Sequence, residues 1–259
     1  MTKLIPKACV LWIFFVVLPH YCGGSVIRIV NGTGAHSGQF PHAVSLRYYA
    51  QHECGGSIIG EEWILTAAHC IYTDYINVLT ILYGSINLRN GESPEGNTAE
   101  VANAYMHENY QPWGGYENDI GLLQLKQPIR FTAYAQPIAL PPFSARTPSN
   151  QDATLIGWGY PQSDVLEVME VLQFVTLTIF PDEVCKQFHG NNFSTTSHIC
   201  AGVVGGGKGQ CSGDSGGALT VNGTQYGIVS WSDKPCATTP GVLTRVATFR
   251  EWIYSKTRI

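Results

Sequence analysis

Charged side chains are scarce in this sequence: 13% of its 259 residues are Asp, Glu, Lys or Arg, against 44% hydrophobic. So little charge beside so much apolar content excludes a disordered chain and a pure coiled coil. Long apolar runs are also missing. The longest, Val10 to Leu18, is too short to span a bilayer comfortably, and nothing later approaches the roughly 20 consecutive apolar residues of a membrane helix. No pair of cysteines has the CxxC spacing of zinc sites. The net charge of −4 removes any electrostatic reason to expect nucleic acid or an anionic membrane as partner. No internal repeat and no low-complexity tract is present.

What the chain does have is 28 Gly, 14 Pro and 11% aromatic residues, which suit short strands joined by tight turns. Segments rich in Val, Ile, Leu, Thr and aromatics run over 43–47, 57–65, 77–83, 121–125, 154–158, 172–179 and 227–231, each bounded by turn residues. Strands spread this evenly, without intervening helical periods, predict an all-β sandwich or barrel. Pro137, Pro141, Pro142 and Pro148 punctuate a polar connector between two halves of similar size. Only the end reads as helix, with Val246, Phe249, Trp252 and Ile253 at helical spacing and Lys256 and Arg258 placed to complement the dipole.

The first 24 residues read as a secretory signal rather than structure. Lys3 and Lys7 precede the apolar run, and Pro19, Gly23 and Gly24 follow it. A soluble, exported product is expected. Removing the leader takes Cys9 and Cys22 with it and leaves Cys54, Cys70, Cys185, Cys200, Cys211 and Cys236. An even number of cysteines in an exported chain points to three disulfides, whose pairing spacing alone leaves open. Asn31, Asn192 and Asn222 begin Asn-x-Ser/Thr sequons, of which the last two suit glycans on loops.

Three islands carry chemistry: Thr66-Ala67-Ala68-His69-Cys70, Asn118-Asp119-Ile120-Gly121, and Gly213-Asp214-Ser215-Gly216-Gly217. Each alone is weak, because an isolated His or Asp is usually structural. Together they offer a base, an orienting carboxylate and a nucleophile. Their order and flanks resemble the chymotrypsin/trypsin family of serine endopeptidases, and the resemblance runs from Ile29 to the C-terminus. It implies two packed six-stranded Greek-key β-barrels over 29–140 and 141–245, followed by an α-helix over 246–259. It also implies Ser215 as nucleophile, His69 as general base and acid, and Asp119 as the carboxylate fixing its tautomer, the roles of this family's own triad. Gly213 and Ser215 would supply the oxyanion-hole N–H groups.

Arg28-Ile29-Val30-Asn31-Gly32 resembles the activation junction of such zymogens, after a propeptide of residues 25–28. Cleavage after Arg28 would free the Ile29 α-amino group, and the family pattern makes Asp214 its buried partner. The mature 231-residue chain then carries 12 basic and 19 acidic residues, a net of −7. The same resemblance implies the pairs Cys54–Cys70, Cys185–Cys200 and Cys211–Cys236.

For substrate, the family pattern lays an extended peptide along Ser230-Trp231-Ser232. Gly209 stands at the pocket floor where trypsin-like members carry Asp, so a basic substrate side chain loses its partner. Gly241 is expected to keep one wall open, Ser232 to narrow the entrance and the neutral Gln210 to lie beside the floor. Cleavage after uncharged aromatic or aliphatic residues follows. Tyr116 is expected at the neighbouring subsite and His189 at more distant ones, while Asp233 is either a solvated loop residue or a lure for basic groups. Ser85, where calcium-binding relatives offer an acid, speaks against a calcium loop despite Glu92, Glu95 and Glu100. Neither cofactor nor metal is expected. The expected partners are protein or peptide substrates, an activating protease and protein inhibitors, with the enzyme itself a monomer. The rivals are trypsin-like cleavage after Lys or Arg, a catalytically silent secreted binding homologue, and an esterase or lipase whose GxSxG elbow belongs in an α/β chain.

Overall fold

The structure, a computed structural model, describes residues 29–89, 97–165 and 167–259. The leader, the propeptide with Arg28, and Glu92 and Glu95 lie outside the described residues.

Strands β2 (Ala43–Tyr48), β3 (Gln51–Gly60), β4 (Trp63–Thr66), β5 (Leu79–Tyr83), β6 (Asn97–Met106) and β7 (Gly121–Leu125) close a first antiparallel barrel in the order β2-β3-β4-β7-β6-β5. Its interior is filled by Val44, Leu46, Ile58, Ile64, Ile81 and Leu122, all completely buried. The second barrel comprises β8 (Gln151–Gly157), β9 (Gln173–Ile179), β10 (His198–Gly202), β11 (Ala218–Val221), β12 (Thr224–Trp231) and β13 (Gly241–Arg245). Pairing of β8 with both β9 and β11 closes it. Leu155, Leu219 and Leu243 form part of its core. A polar helix α1 (Asp182–His189) sits between β9 and β10.

The segment 57–65, expected as one strand, is a hairpin. Gly60 pairs with Trp63 across the exposed Glu61 and Glu62, whose carbonyls accept from Ile129 and Leu125. Two adjacent acids cannot be buried in a continuous strand without partners, and the turn places both in solvent.

Both ends of the domain also cross the expected division at residue 140. A two-residue strand, β1 (Thr33–Gly34), pairs with β9, and Ile29 lies in the second barrel's core. At the other end Val246, Phe249 and Ile253 pack into the first barrel's core. The expected helix over 246–259 is a 3-10 turn, Val246–Phe249, leading into α2 (Arg250–Thr257). Lys256 Nζ lies 2.7 Å from Glu108 Oε1, and Trp252 Nε1 donates to Glu108 Oε2 at 2.7 Å, so the helix is tied to the chain beyond β6. Each half therefore carries a strap belonging to the other. Phe249→Ala is expected to cost about 3–5 kcal/mol through the cavity it leaves, read as a lower urea midpoint. The 93% exposed Val204, changed to Ala, is expected to stay within about 0.5 kcal/mol of the parent.

Candidate active site

β4 ends at Thr66, and a 3-10 turn over Ala68–Cys70 carries His69 to the barrel rim. The Cys54–Cys70 disulfide (S–S 2.04 Å) fastens that turn to β3. Asn118, with φ of +57°, bends the chain just before β7 and leaves Asp119 completely buried. A buried carboxylate must be hydrogen-bonded, and this one is held from both barrels. His69 N donates to Oδ1 at 2.9 Å, while His69 Nδ1 (2.7 Å) and Ser230 Oγ (2.5 Å) share Oδ2. Thr244 Oγ1 donates to the Asp119 carbonyl at 2.6 Å. His69 and Ser215 line one cavity of about 270 Å³, with no hydrogen bond between them among the described residues. Such contacts are commonly long in unliganded enzymes and tighten with substrate.

Ser215 sits in a turn dictated by its glycines. Gly213 has φ of +87°, and Gly216, with φ of +78°, presses so closely on Thr66 Oγ1 and the Gly55 carbonyl that no Cβ fits. Gly55 N in turn donates to the Ser215 carbonyl at 2.7 Å, joining the Ser215 loop to the first barrel. Neither Gly213 N–H nor Ser215 N–H has a protein acceptor among the described residues. His52 Nε2 is 2.9 Å from the Gly213 carbonyl, and its Nδ1 is 2.8 Å from Ser45 Oγ. Burial drives His52 down to about 4, so it is a neutral strut at pH 7, donating from Nε2 and accepting from Ser45. Asp214 is completely buried and accepts from Cys211 N (2.9 Å) and Gly159 N (2.8 Å). Burial pushes its carboxyl up to about 7, against the pull of those two N–H groups and of Lys234.

Around the cavity, Tyr116 meets the His69 ring edge-on with centroids 5.9 Å apart, and Ser230, Trp231 and Ser232 form one side. Gly209, expected at the pocket floor, is not among the residues lining this cavity, and Ala237 Cβ stands 3.3 Å from where a Cβ on Gly209 would be. Gly241 does not leave an open wall, because the Gln210 side chain lies against it, 2.5 Å from where a Cβ would stand. Gln210 Nε2 donates to the carbonyls of Trp231 (2.8 Å) and Val242 (3.2 Å), which pins the carboxamide across the pocket. Asp233 is an exposed loop residue, the first of the two readings expected for it; it accepts from Thr239 Oγ1 at 2.9 Å and lies 3.4 Å from His189 Nδ1. His189 is buried behind Trp231, at a centroid distance of 5.0 Å, and does not line the cavity. Disulfides join Cys211 to Cys236 (2.09 Å) beside the pocket and Cys185 to Cys200 (2.14 Å) between α1 and β10.

Residues 29–253 match the family model described as Trypsin. A trypsin of Phaedon cochleariae is 35% identical over 239 residues, 90% of each chain, and serine protease 1 of Rattus norvegicus is 36% identical over 87% of this chain and 88% of its own. Among solved structures, human heparin binding protein superposes with a TM-score of 0.79 at 30% identity, covering 88% of this chain and 96% of that one. The chain belongs to the trypsin family. It is a serine endopeptidase, and its substrates are proteins.

Two features of this trypsin-family site escape sequence reading. His52 and Ser45 belong to strands, with no local motif around them to mark them. Lys234, which lines the cavity, stands two residues before Cys236, so the disulfide that folds the loop back onto the pocket was the available signal. A larger cavity of about 610 Å³, bounded by Phe40, His42, Ile138, Thr154 and Asn222, shares no residue with this one. His42 and Asp152 both line it, but no hydrogen bond joins them among the described residues. Ser85 Oγ bonds its neighbour Asn87, and Glu100 pairs with Lys126. Asn192 and Asn222 are exposed, whereas the Asn31 amide donates to the Gly207 carbonyl at 2.7 Å.

Asp214 sets a pH dependence. A carboxyl raised to about 7 in the fold, and ordinary when unfolded, stabilises the fold fully below about pH 4 and loses that contribution as pH rises to about 7. In the chain still joined to Arg28, Tm is expected to fall across that window, and Asp214→Asn is expected to flatten the fall. An unchanged slope in the variant would remove Asp214 as its cause.

Proposed function

We propose that the protein is exported as a zymogen, with residues 1–24 as signal and 25–28 as propeptide, and that cleavage after Arg28 releases a serine endopeptidase spanning 29–259. The observation that carries the reading is the buried Asp119 carboxylate bonded to His69 Nδ1, with Ser215 across the same cavity.

In the proposed reaction, Ser215 Oγ attacks the scissile carbonyl as His69 Nε2 takes its proton, and Asp119 stabilises the imidazolium at Nδ1. The carbonyl oxygen becomes an oxyanion held by the N–H groups of Gly213 and Ser215. His69 then returns the proton to the leaving amine. Water, deprotonated by the same imidazole, cleaves the acyl-enzyme. Main-chain hydrogen bonds along Ser230–Ser232 hold the substrate extended, with Tyr116 at the next subsite.

Activation follows from electrostatics. Before processing, Asp214 is a buried carboxyl without a cation. The freed Ile29 ammonium supplies one, and the pair orders the loop that carries Gly213 and Ser215. Ile29 is buried in the second barrel, which supports this route. The pocket has no acid at Gly209, so cleavage after Lys or Arg is disfavoured, and Gln210 occupies the depth an aromatic ring needs. Short side chains are therefore the preferred class, narrower than the aromatic-or-aliphatic range expected from sequence.

A silent binding homologue is the rival reading. The solved neighbour's name mentions heparin, a polyanion, whereas the mature chain here carries a net of −7 and keeps His69, Asp119, Ser215 and Gly213.

Digestion of a peptide library by the processed chain tests the proposal. Cuts after short residues are expected, and dominant cleavage after Lys or Arg defeats the pocket reading. Ser215→Ala is expected to lower kcat by roughly 10⁶, the size seen when serine peptidases lose their nucleophile. Deleting Ile29 is expected to leave a folded but poorly active protein, and full activity would refute the activation step.

A further inference from the structure

Among the described residues, Lys234 is the one permanently charged side chain lining the cavity around Ser215, and no carboxylate lines it. The ammonium is held over the opening. Its Nζ is 2.9 Å from Ser212 Oγ and 3.1 Å from Cys236 Sγ, so it lies against the Cys211–Cys236 disulfide at the pocket rim. Asp233, its neighbour in sequence, turns to Thr239 and His189, and the carboxyl whose field Lys234 does feel, Asp214, is buried and raised toward neutrality. Among the described residues Lys234 forms no ion pair.

We propose that Lys234 selects substrates with Asp or Glu immediately before the scissile bond. The inference rests on the peptidase reading and deepens it from size to charge. Two independent features of the pocket converge on it. Gln210 is pinned by two main-chain carbonyls and lines the cavity that Gly209 does not, so an entering side chain meets the carboxamide and not Gly209. At the rim it meets the Lys234 ammonium and the hydroxyls of Ser212 and Ser232, all hydrogen-bond donors to a carboxylate. A lysine or arginine side chain would meet a like charge there. Neutral short residues fit the same space without the ionic contact and are cut more slowly. The overall net charge of −7 opposes acidic substrates only at long range, where salt screens it beyond about 8–10 Å.

Because Lys234 is exposed, the gain is that of a partly solvated pair, about fivefold in kcat/KM. The test uses the full chain, cleaved after Arg28 by immobilised trypsin, on peptides that differ only before the scissile bond: Asp against Asn, and Glu against Gln. The acid is expected to be cut about fivefold faster than its amide in at least one pair at low salt, with the ratio shrinking as salt is raised. Lys234→Gln is expected to bring that ratio to about one and Lys234→Arg to retain it. Equal rates for acid and amide in the parent, or an unchanged ratio in Lys234→Gln, overturn the proposal. Fluorophosphonate labelling separates two kinds of failure. Labelled Ser215 with cleavage indifferent to charge sinks only the selectivity, whereas an unlabelled Ser215 with no peptide cut sinks the peptidase reading beneath it.

Discussion

The buried carboxylate of Asp119 is the constraint on which the rest of the molecule turns. A charge excluded from water must be partnered or its burial costs several kcal/mol. Its partners come from different halves of the fold: His69 from the first barrel, Ser230 and Thr244 from strands β12 and β13 of the second. The barrels are thus locked in one relative placement by the same contacts that orient the imidazole. Further cross-barrel bonds repeat the pattern, with Gly55 to Ser215, Ser57 to Gln225, and Trp158 to Ile86. The orientation of the His69 imidazole and the docking of the barrels are one problem here, solved once.

A second buried acid works differently. Asp214 has only main-chain N–H partners among the described residues, and its carboxyl is correspondingly raised toward neutrality. It lies one residue from Ser215, so its two main-chain bonds also brace the turn through Gly213 and Ser215. The neutral His52 strut braces that turn from the first barrel's side. Asp119 is satisfied by side chains from both barrels, whereas Asp214 has no ion-paired cation among the described residues.

Much of the fold was legible because amphipathic strands announce themselves. β7, β9 and β12 fall where runs of Val, Ile and Leu sit between turn residues. β6 stayed hidden because most of its residues are at least partly exposed, as did α1, a polar helix of Asp, Glu, Lys, Gln and His. The hairpin at Glu61–Glu62 was read as one strand because periodicity carries no information on where a chain reverses. The crossing straps at Ile29 and Phe249 were invisible for a related reason: an apolar residue declares that it will be buried, not in which barrel.

The sequence by itself determined the chemistry. His69, Asp119 and Ser215, set in flanks as specific as TAAHC and GDSGG, name the family, and with it the class of reaction. Only the tertiary structure decided the shape and charge of the pocket. Whether Gln210 lies beside the pocket or across it depends on the positions of the Trp231 and Val242 carbonyls. Whether Lys234 or Asp233 lines the cavity depends on how a disulfide folds one loop. Such choices rest on contacts between residues distant in the chain, and no local pattern encodes them.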